Sequence, residues 1–279
     1  MEALKGAAVS AAIKEQVQNR LAELDGYIPT LAIIRVGEKP DDISYEKGAM
    51  KKMASFGLNV QSYTFPEDIS DALFKEEFAK INADKAIDGI LMLRPLPKHI
   101  CEKDIEKMID PAKDLDGISP ENIAKVFAGD STGFAPCTAE AVIEVLKAYN
   151  IPMQGKRVTV VGRSMVVGKP LSMLFVKENA TVTICHTRTA DLKAECSRAE
   201  ILVAAAGRAR MLDGAYAGKD AVVIDVGINV DDNGRLCGDV DYDSLEGIAS
   251  MATPVPGGVG AVTTAVLAKH LVQAAVGRK

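Results

Sequence analysis

Short apolar runs alternate with longer amphipathic runs along the first part of the chain. The apolar runs, which predict strands, are LAIIRVG (31–37), NVQSYTF (59–65) and GILMLRPLP (89–97). The amphipathic runs, which predict helices, are DISYEKGAMKKMASFG (42–57) and DALFKEEFAKINAD (71–84). The first helix is expected to end at Gly57, and the third strand to be stopped by its prolines. This order predicts βαβ units and a mostly parallel sheet.

A second series with the same alternation begins after an irregular segment. Residues 111–138 are rich in Pro, Gly and Asp, which predicts loops with a short helix, and Thr138 is a candidate N-cap for the helix that follows. The later strand-like runs are RVTVVG (157–162), TVTICHT (181–187), EILVAAAG (200–207) and AVVIDVG (221–227). The tail AVTTAVLAKHLVQAAVGRK (261–279) predicts a long final helix.

Two α/β domains are the simplest architecture for these two series. The first is predicted to span residues 1–140 and the second residues 141–265, with the final helix, 266–279, returning to the first domain. Ligands of two-domain proteins commonly bind between the domains, so the sequence predicts a ligand site in a cleft there.

Composition narrows the classes of partner. The chain has 279 residues and a formal net charge of −5 without a basic block, which argues against nucleic acid. Met1 precedes a charged, amphipathic stretch, and no apolar run approaches the length of a membrane span. The cysteines number five and form no CxxC pair, so neither a disulfide framework nor a metal site is expected. We therefore expect a soluble cytoplasmic protein.

A glycine-containing turn follows the first strand of the second series. In VTVVGRSMVVGKPLSMLF (158–175), Gly162 permits a tight turn and Gly168 permits close approach of the backbone to a ligand. The helix that follows would present unpaired N–H groups and the positive end of its dipole to a pyrophosphate. The spacing is not GxGxxG, however, so a purely structural strand-to-helix turn is the alternative.

The end of the next strand bears on the choice between NADP and NAD. NAD sites usually carry an Asp or Glu at this position, but here the strand ends in Cys-His-Thr-Arg-Thr (185–189), and Asp191 comes only later. Arg163 and Arg188 could bind a 2′-phosphate together, with Thr187 donating a hydrogen bond. NADP is therefore favoured over NAD, and the alternative for Arg188 is a solvated surface charge.

Several motifs, taken in their order along the chain, are specific enough to indicate a protein family. These motifs are PLP (95–97), KDLDG (113–117), GRSMVVGKP (162–170), DVGIN (225–229) and TPVPGGVGAVT (253–263). Together they resemble the methylenetetrahydrofolate dehydrogenase/cyclohydrolase family over nearly the whole chain. The resemblance implies an N-terminal α/β folate-binding domain, a Rossmann-like NADP-binding domain, a tetrahydrofolate in the cleft between them, and a homodimer.

The resemblance also assigns roles to individual positions. Asp116 would anchor the pterin, because a carboxylate accepts hydrogen bonds from an aminopyrimidinone edge, and Tyr45 would pack against the flat pterin ring. The remaining residues implied to bind ligands are Pro256, Gly257 and Gly258 for the folate, and Gly162, Arg163, Ser164, Gly168, Thr187, Arg188 and Ile228 for the cofactor. The histidines, His99, His186 and His270, form no cluster and receive no chemical role.

Two departures from the family pattern fall on one functional unit. Bifunctional members carry a lysine four residues after the tyrosine, where this chain has Ala49, and a glutamine in the third strand, where it has Leu93. The neighbouring Arg94 should point to the opposite face, because side chains alternate along a strand. In the family the lysine and glutamine serve the proton transfers of the cyclohydrolase step. Their absence predicts a dehydrogenase with weak or absent cyclohydrolase activity.

Three other interpretations of the sequence stay open. Lys52 shares a helix face with Tyr45 and could replace the missing lysine, which would preserve both activities. A protein that binds folate or nucleotide without turnover is a second possibility, and a dehydrogenase of another small substrate is a third.

Overall fold

The computed structural model describes residues 1–278, which form alternating strands and helices. The strands are β1 (Glu2–Ala3), β2 (Thr30–Val36), β3 (Asn59–Phe65), β4 (Gly89–Met92), β5 (Arg157–Val161), β6 (Thr181–Cys185), β7 (Ile201–Ala204), β8 (Val222–Asp225), β9 (Asn229–Val230), β10 (Leu236–Cys237) and β11 (Met251–Ala252). The α-helices are α1 (Gly6–Leu21), α2 (Pro40–Ser55), α3 (Asp71–Ala83), α4 (Glu102–Met108), α5 (Pro120–Ala128), α6 (Cys137–Ala148), α7 (Gly168–Lys177), α8 (Leu192–Ser197) and α9 (Gly260–Gly277). Every strand and helix of the two predicted series is present, with small changes at the ends.

The chain divides into two compact units. One comprises residues 13–135 and 267–279, and we call it the N-terminal unit; the other comprises residues 1–12 and 136–266, and we call it the C-terminal unit. The first residues therefore group with the C-terminal unit, whereas the sequence analysis placed them in the first domain. The physical reason is that β1 pairs in parallel with β11, a bond pattern that a two-residue strand gives no sign of in the sequence.

The N-terminal unit contains a three-stranded parallel sheet in the order β3-β2-β4. Ala32, Ile34 and Val36 point to one face of β2, where they pack with phenylalanines of α3 and with Ile105 of α4 in a single apolar cluster. The other face of β2 carries Leu31, Ile33 and Arg35, because side chains alternate along a strand. An arginine on this otherwise apolar face is the unusual feature of the sheet.

The C-terminal unit contains a six-stranded parallel sheet in the order β1-β11-β8-β7-β5-β6, and a small antiparallel pair of β9 and β10. The strands β5, β7 and β8 are buried almost throughout, as their continuous apolar runs predict for a sheet covered on both faces. Loops that leave the carboxyl ends of these strands lie at one edge of the sheet. Open α/β sheets bind their ligands at that edge.

Two local predictions are corrected by the structure. The strand predicted over residues 89–97 ends at Met92, although the Leu93 N–H still donates to the carbonyl of Ile34 at 2.9 Å. The helix after the irregular segment begins at Cys137, and Pro136 rather than Thr138 occupies its N-cap position. The ring of Pro136 holds φ at −52°, so the chain enters the helix without a side-chain cap.

Two kinds of feature are absent from the residues that the structure describes. Across residues 1–278, no helix has both the length and the apolar character that crossing a membrane would require. The same part of the chain holds no group of three or more His, Cys, Asp or Glu side chains arranged to bind a metal ion.

Candidate active site

The turn after β5 has a backbone geometry that only glycine accommodates. Gly162 has φ 138°, and a Cβ added there would lie 2.1 Å from the carbonyl oxygen of Ala205. A Cβ added at Gly168 would lie 2.1 Å from the carbonyl oxygen of Gly162. Since the obstructing atoms belong to the backbone, any larger residue would force the turn open. The glycine pair brings the start of α7 close against the carboxyl end of β5.

The amides that could hold an anion lie mainly in the loop before α7, together with the N–H of Gly168 at the start of the helix. The Val167 N–H donates to Ser164 Oγ at 3.1 Å, the Lys169 N–H to the Ser164 carbonyl at 3.0 Å, and Pro170 has no N–H. By contrast, the N–H groups of residues 163–166 donate no backbone hydrogen bond within residues 1–278. Successive unpaired amides of this kind form a concave site for phosphate. Ser164 therefore shapes the loop through its own side chain.

The three polar residues predicted to hold a 2′-phosphate, Arg163, Thr187 and Arg188, are all exposed. Neither guanidinium forms an ion pair with any residue that the structure describes. The Arg188 N–H donates to His186 Nδ1 at 3.1 Å, so the backbone of this loop is folded upon itself. Asp191, the first carboxylate after β6, accepts from the Ala194 N–H at 2.9 Å and caps α8. The end of β6 thus presents arginine side chains and a threonine hydroxyl, which suit a phosphate, rather than a carboxylate that would bind the ribose hydroxyls.

Two buried aspartates hold the loops after β7 and β8. Asp239 accepts hydrogen bonds from the N–H groups of residues 206–208 at 2.6–2.9 Å and from Asn229 Nδ2 at 2.9 Å. Asp225 accepts from the N–H groups of Gly227, Asp239 and Val240 at 2.9–3.0 Å. The loops at the carboxyl edge of the sheet are thereby fixed by carboxylates, and the DVGIN motif has a structural reason for its aspartate.

Burial has a large effect on one of these carboxyl groups. Removal from water raises the pKa of Asp225 to about 6, although the three backbone N–H donors act in the opposite direction. The negative charge of Asp239 raises the pKa further. Asp225 therefore takes up a proton on mild acidification, at a position that supports the edge of the sheet.

Ile228 and the Pro256-Gly257-Gly258 turn lie in the same unit as the glycine turn. Ile228 is 68% exposed, and a Cβ on Gly260, at the start of α9, would lie 3.5 Å from Ile228 Cδ1. The Gly6 N–H donates to the Gly257 carbonyl at 2.8 Å, which ties the turn to the start of α1. An apolar side chain this exposed beside a glycine-rich turn suits contact with the face of a flat ring.

The candidate folate residues Tyr45 and Ala49 lie on α2 in the N-terminal unit. Tyr45 is 40% exposed, whereas Ala49 is fully buried. Ala49 shares the buried face of α2 with Glu46 and Met53. Since a methyl group can neither donate nor accept a proton, position 49 has no part in acid–base chemistry.

Lys52 lies near the aromatic ring of Phe56. Its Nζ lies 6.0 Å from the ring centroid of Phe56, which is one helical turn further from Tyr45. Partial burial lowers the pKa of Lys52, and the positive charge of Lys14 lowers it further.

Leu93 is buried just beyond the end of β4, and Arg94 is engaged elsewhere. Arg94 Nη1 lies 3.4 Å from Glu102 Oε1 and 3.5 Å from Glu106 Oε1, both on α4. Burial raises the pKa of Glu106, and the positive charge of Arg94 opposes this rise. The guanidinium therefore pairs with two carboxylates of α4.

Most residues of the KDLDG motif have structural roles. Lys113 Nζ donates to the carbonyls of Asn82 and Asp84 at 2.6–2.7 Å and so caps the end of α3. Asp114 accepts from the N–H groups of Ile118 and Ser119 at 2.8–3.0 Å. These bonds fix the backbone on both sides of Asp116, which lies partly exposed within the turn.

His270 on α9 adds a further contact to the same turn. It is buried, and its Nδ1 lies 2.8 Å from the Leu115 carbonyl, so Nδ1 carries the proton that is donated. The structure thus gives this histidine a role in holding the residue before Asp116, although the sequence gave no reason to single it out.

A sheet whose carboxyl edge combines a glycine turn, unpaired amides and exposed arginines is typical of a dinucleotide-binding protein. The comparisons with known proteins define the family. Residues 136–279 match the NAD(P)-binding domain of tetrahydrofolate dehydrogenase/cyclohydrolase, and residues 4–116 match its catalytic domain. The chain belongs to the tetrahydrofolate dehydrogenase/cyclohydrolase family, and the predicted family and two-domain α/β fold class are confirmed.

Relatives of known name support the same assignment. The chain is 52% identical over 273 residues to the bifunctional protein FolD of Clostridium kluyveri, covering 97% of this chain and 96% of that one. The FolD structure from Campylobacter jejuni is 36% identical with a TM-score of 0.96, and both chains are covered fully. The FolD structure from Trypanosoma brucei, described as complexed with NADP cofactor and inhibitor, is 33% identical with a TM-score of 0.91, covering 98% of each chain.

Some residues that shape the candidate site were missed from the sequence. The missed residues are Asp239, which holds the loop after β7, and His270, which holds the residue before Asp116. For both, only the tertiary contacts reveal the role.

Proposed function

We propose that this protein oxidises 5,10-methylenetetrahydrofolate to 5,10-methenyltetrahydrofolate with NADP, and that its cyclohydrolase activity is weak or absent. The observation that carries the proposal is the contrast between an intact glycine turn at Gly162 and Gly168 and the apolar residues Ala49 and Leu93. The chemistry that NADP supplies is acceptance of a hydride at the nicotinamide ring. The chain itself binds and orients the two reactants.

The residue assignments behind this proposal come from the family pattern. Asp116 anchors the pterin, Tyr45 packs on it, and the Pro256-Gly257-Gly258 turn approaches the folate. Loop amides 163–166 hold the pyrophosphate, and Ile228 contacts the nicotinamide end. The folate nitrogens stabilise the positive charge that develops on the substrate. Hydride transfer therefore requires no acidic or basic group from the protein.

NADP rather than NAD is supported by the charges at the end of β6. Arg163 and Arg188 are exposed cations with no ion pair among the described residues, and a 2′-phosphate suits their guanidinium groups. Asp191 already caps α8 and is therefore a poor partner for a ribose hydroxyl. The FolD of Trypanosoma brucei, which carries NADP in its structure, is consistent with this choice.

The main competing function is a bifunctional dehydrogenase/cyclohydrolase, which the name of the Clostridium kluyveri relative, bifunctional protein FolD, favours. It would need a proton-transfer group in place of Ala49, and Lys52 is the candidate. The position of Lys52 Nζ near Phe56 argues against that role. If Lys52 did serve, a Lys52→Ala variant would lose cyclohydrolase activity.

The first experiment is an absorbance time course at neutral pH. Purified protein is mixed with methylenetetrahydrofolate and NADP, and NADPH and the methenyl product are followed together beside an enzyme-free control. We expect NADPH to rise while the methenyl product decays only at the uncatalysed rate. Rapid loss of the methenyl product would contradict the absence of cyclohydrolase activity. No NADPH, with folate still bound, would favour a non-catalytic binding protein.

Two further expectations from the resemblance are kept as proposals. The enzyme is proposed to act in the cytoplasm and as a homodimer. Light scattering coupled to size-exclusion chromatography tests the second, and a mass matching one chain would contradict it.

A further inference from the structure

A polar network built on a buried ion pair links α2 to two strands of the N-terminal sheet, and its third member, Ser62, is exposed. Arg35 Nε on β2 lies 2.7 Å from Glu46 Oε2 on α2, and both side chains are almost entirely shielded from water. The hydroxyl of Ser62 on β3 donates to Glu46 Oε1, and Arg35 Nη1 donates to the carbonyl of Gly37. The network thus joins α2, both neighbouring strands and the loop that leads into the helix.

Stability alone is a weak reason for such a network. Burying two charges costs desolvation energy, and apolar residues of similar volume often serve a fold equally well. Buried polar groups are better explained where the orientation of an element must be unique. Both carboxylate oxygens of Glu46 accept a hydrogen bond, and Arg35 donates through Nε and Nη1, as a buried charge pair requires.

The rest of the buried face of α2 specifies orientation poorly. Besides Glu46, that face consists of Ala49 and Met53. Alanine is too small to interdigitate, and methionine is flexible and adapts to many packings. Rotation of α2 about its axis would therefore meet little resistance from apolar packing, whereas it would break the bonds of Glu46.

The position of Tyr45 depends on that orientation. Tyr45 directly precedes Glu46, and Gly37 lies at the start of the short loop before α2. Fixing Glu46 from two strands, through Arg35 and Ser62, restrains the backbone of its neighbour. Because Arg35 and Glu46 carry opposite charges, the network adds no net charge beside Ala49.

We propose that Arg35, Glu46 and Ser62 are positioning residues that orient α2 and so place Tyr45 against the folate substrate. This inference rests on the proposed function, in which Tyr45 packs on the pterin. The three residues act through Tyr45 and do not touch the reacting atoms.

The test replaces the ion pair by apolar residues of similar volume in an Arg35→Met/Glu46→Leu variant. Ser62→Ala is a milder variant that removes a single bond. Lys75→Met is the matched control, because it removes the ion pairs of Lys75 with Asp71 and Asp104, which lie on the surface of the same unit. Dehydrogenase kinetics and urea unfolding are measured for each variant, with and without Tyr45→Ala.

We expect the double variant to raise the KM for folate about tenfold, because a small misplacement of a binding group weakens binding strongly. The kcat at saturating folate and the KM for NADP should stay within about twofold of wild type. In the Tyr45→Ala background the double variant should have no further effect, since coupled residues are not additive. The control should match wild type.

Two results would overturn the inference. If the double variant is active and its KM for folate is unchanged, the network contributes only to packing. An equal KM effect with and without Tyr45 would show that the network does not act through that residue. Wild-type protein that forms no NADPH contradicts the proposed function itself, and the inference then falls with it.

Discussion

The glycine turn of the C-terminal unit and the buried face of α2 in the N-terminal unit differ in what they demand of the sequence. At Gly162 and Gly168 the backbone itself forms the site, and nearby carbonyl oxygens leave no space for a Cβ. On α2 the backbone is an ordinary helix, and the chemistry depends on the side chain at a single position, Ala49. A reaction that relies on backbone geometry is therefore harder to lose than one that relies on side chains.

This difference explains how one activity could disappear from a fold that stays intact. Hydride transfer needs bound and oriented reactants, which the loops and the cofactor supply. Ring opening by water needs a group that moves protons. Replacement of a lysine by alanine and of a glutamine by leucine is compatible with burial, so Ala49 and Leu93 leave the packing undisturbed.

The largest effect is expected from Gly168→Ala, which changes the glycine turn of the C-terminal unit, where the backbone itself forms the site. The added Cβ would meet the Gly162 carbonyl at 2.1 Å and force the turn open. NADP affinity should fall on the order of 100-fold, measured by calorimetry, because misplaced amides no longer bind the pyrophosphate. Gly247→Ala is the control, since its φ is 77° but nothing lies within 4 Å. Equal affinity in both variants would refute the role of the turn.

The next largest effect is a gain of cyclohydrolase activity from changes at Ala49 and Leu93, where the chemistry would depend on side chains. An Ala49→Lys/Leu93→Gln variant should acquire cyclohydrolase activity about 100-fold above the uncatalysed rate, the lower end of what general acid–base groups contribute. Decay of added methenyltetrahydrofolate measures it. Some stability will be lost, because the lysine stem must leave a fully buried position.

Ala54→Lys is the matched control for that gain, because residue 54 is an exposed position of the same helix. It adds the same charge to α2 away from the buried face and should leave the decay rate unchanged. A folded double variant without any gain would show that more than these two side chains separates the activities.

A smaller effect is expected from Arg188→Ala. Loss of a charge-assisted hydrogen bond to the 2′-phosphate should raise the KM for NADP on the order of tenfold and leave the KM for NAD nearly unchanged. Steady-state kinetics with both cofactors measures the ratio. Lys193→Ala removes another exposed cation of the same unit and should alter neither value. Parallel changes for both cofactors would argue against a 2′-phosphate contact.

The smallest effect concerns the pH dependence of stability at the edge of the C-terminal sheet. Burial raises the pKa of Asp225 from 3.8 to about 6, so the native state binds this proton more tightly than the unfolded chain. The contribution of Asp225 to stability is then largest below its unfolded pKa and is lost as pH rises through about 6. Relative to Asp225→Asn, wild type should gain stability on acidification from about pH 7 to about pH 5. Urea unfolding at several pH values measures this, and parallel curves would contradict it.

The sequence by itself determined the elements and the family. Period-two and helical patterns predicted β2 to β8 and the main helices. The reason is that the spacing of apolar residues along a segment depends on whether one or both of its faces are buried. The glycine turn after β5 was also visible, since few residues other than glycine reach such backbone conformations. The absence of the lysine and glutamine was visible only through the resemblance to the family, whose motifs fix positions 49 and 93 in register.

Only the tertiary structure decided which residues meet across elements. The pairing of β1 with β11 joins residues 249 positions apart in register, and no local pattern encodes a partner at that distance. The same holds for Arg35 with Glu46 and Ser62, and for His270 with Leu115. Charge neutralisation and hydrogen bonding in a buried site depend on the partner's position in space, so a polar residue becomes interpretable only when its partner is known.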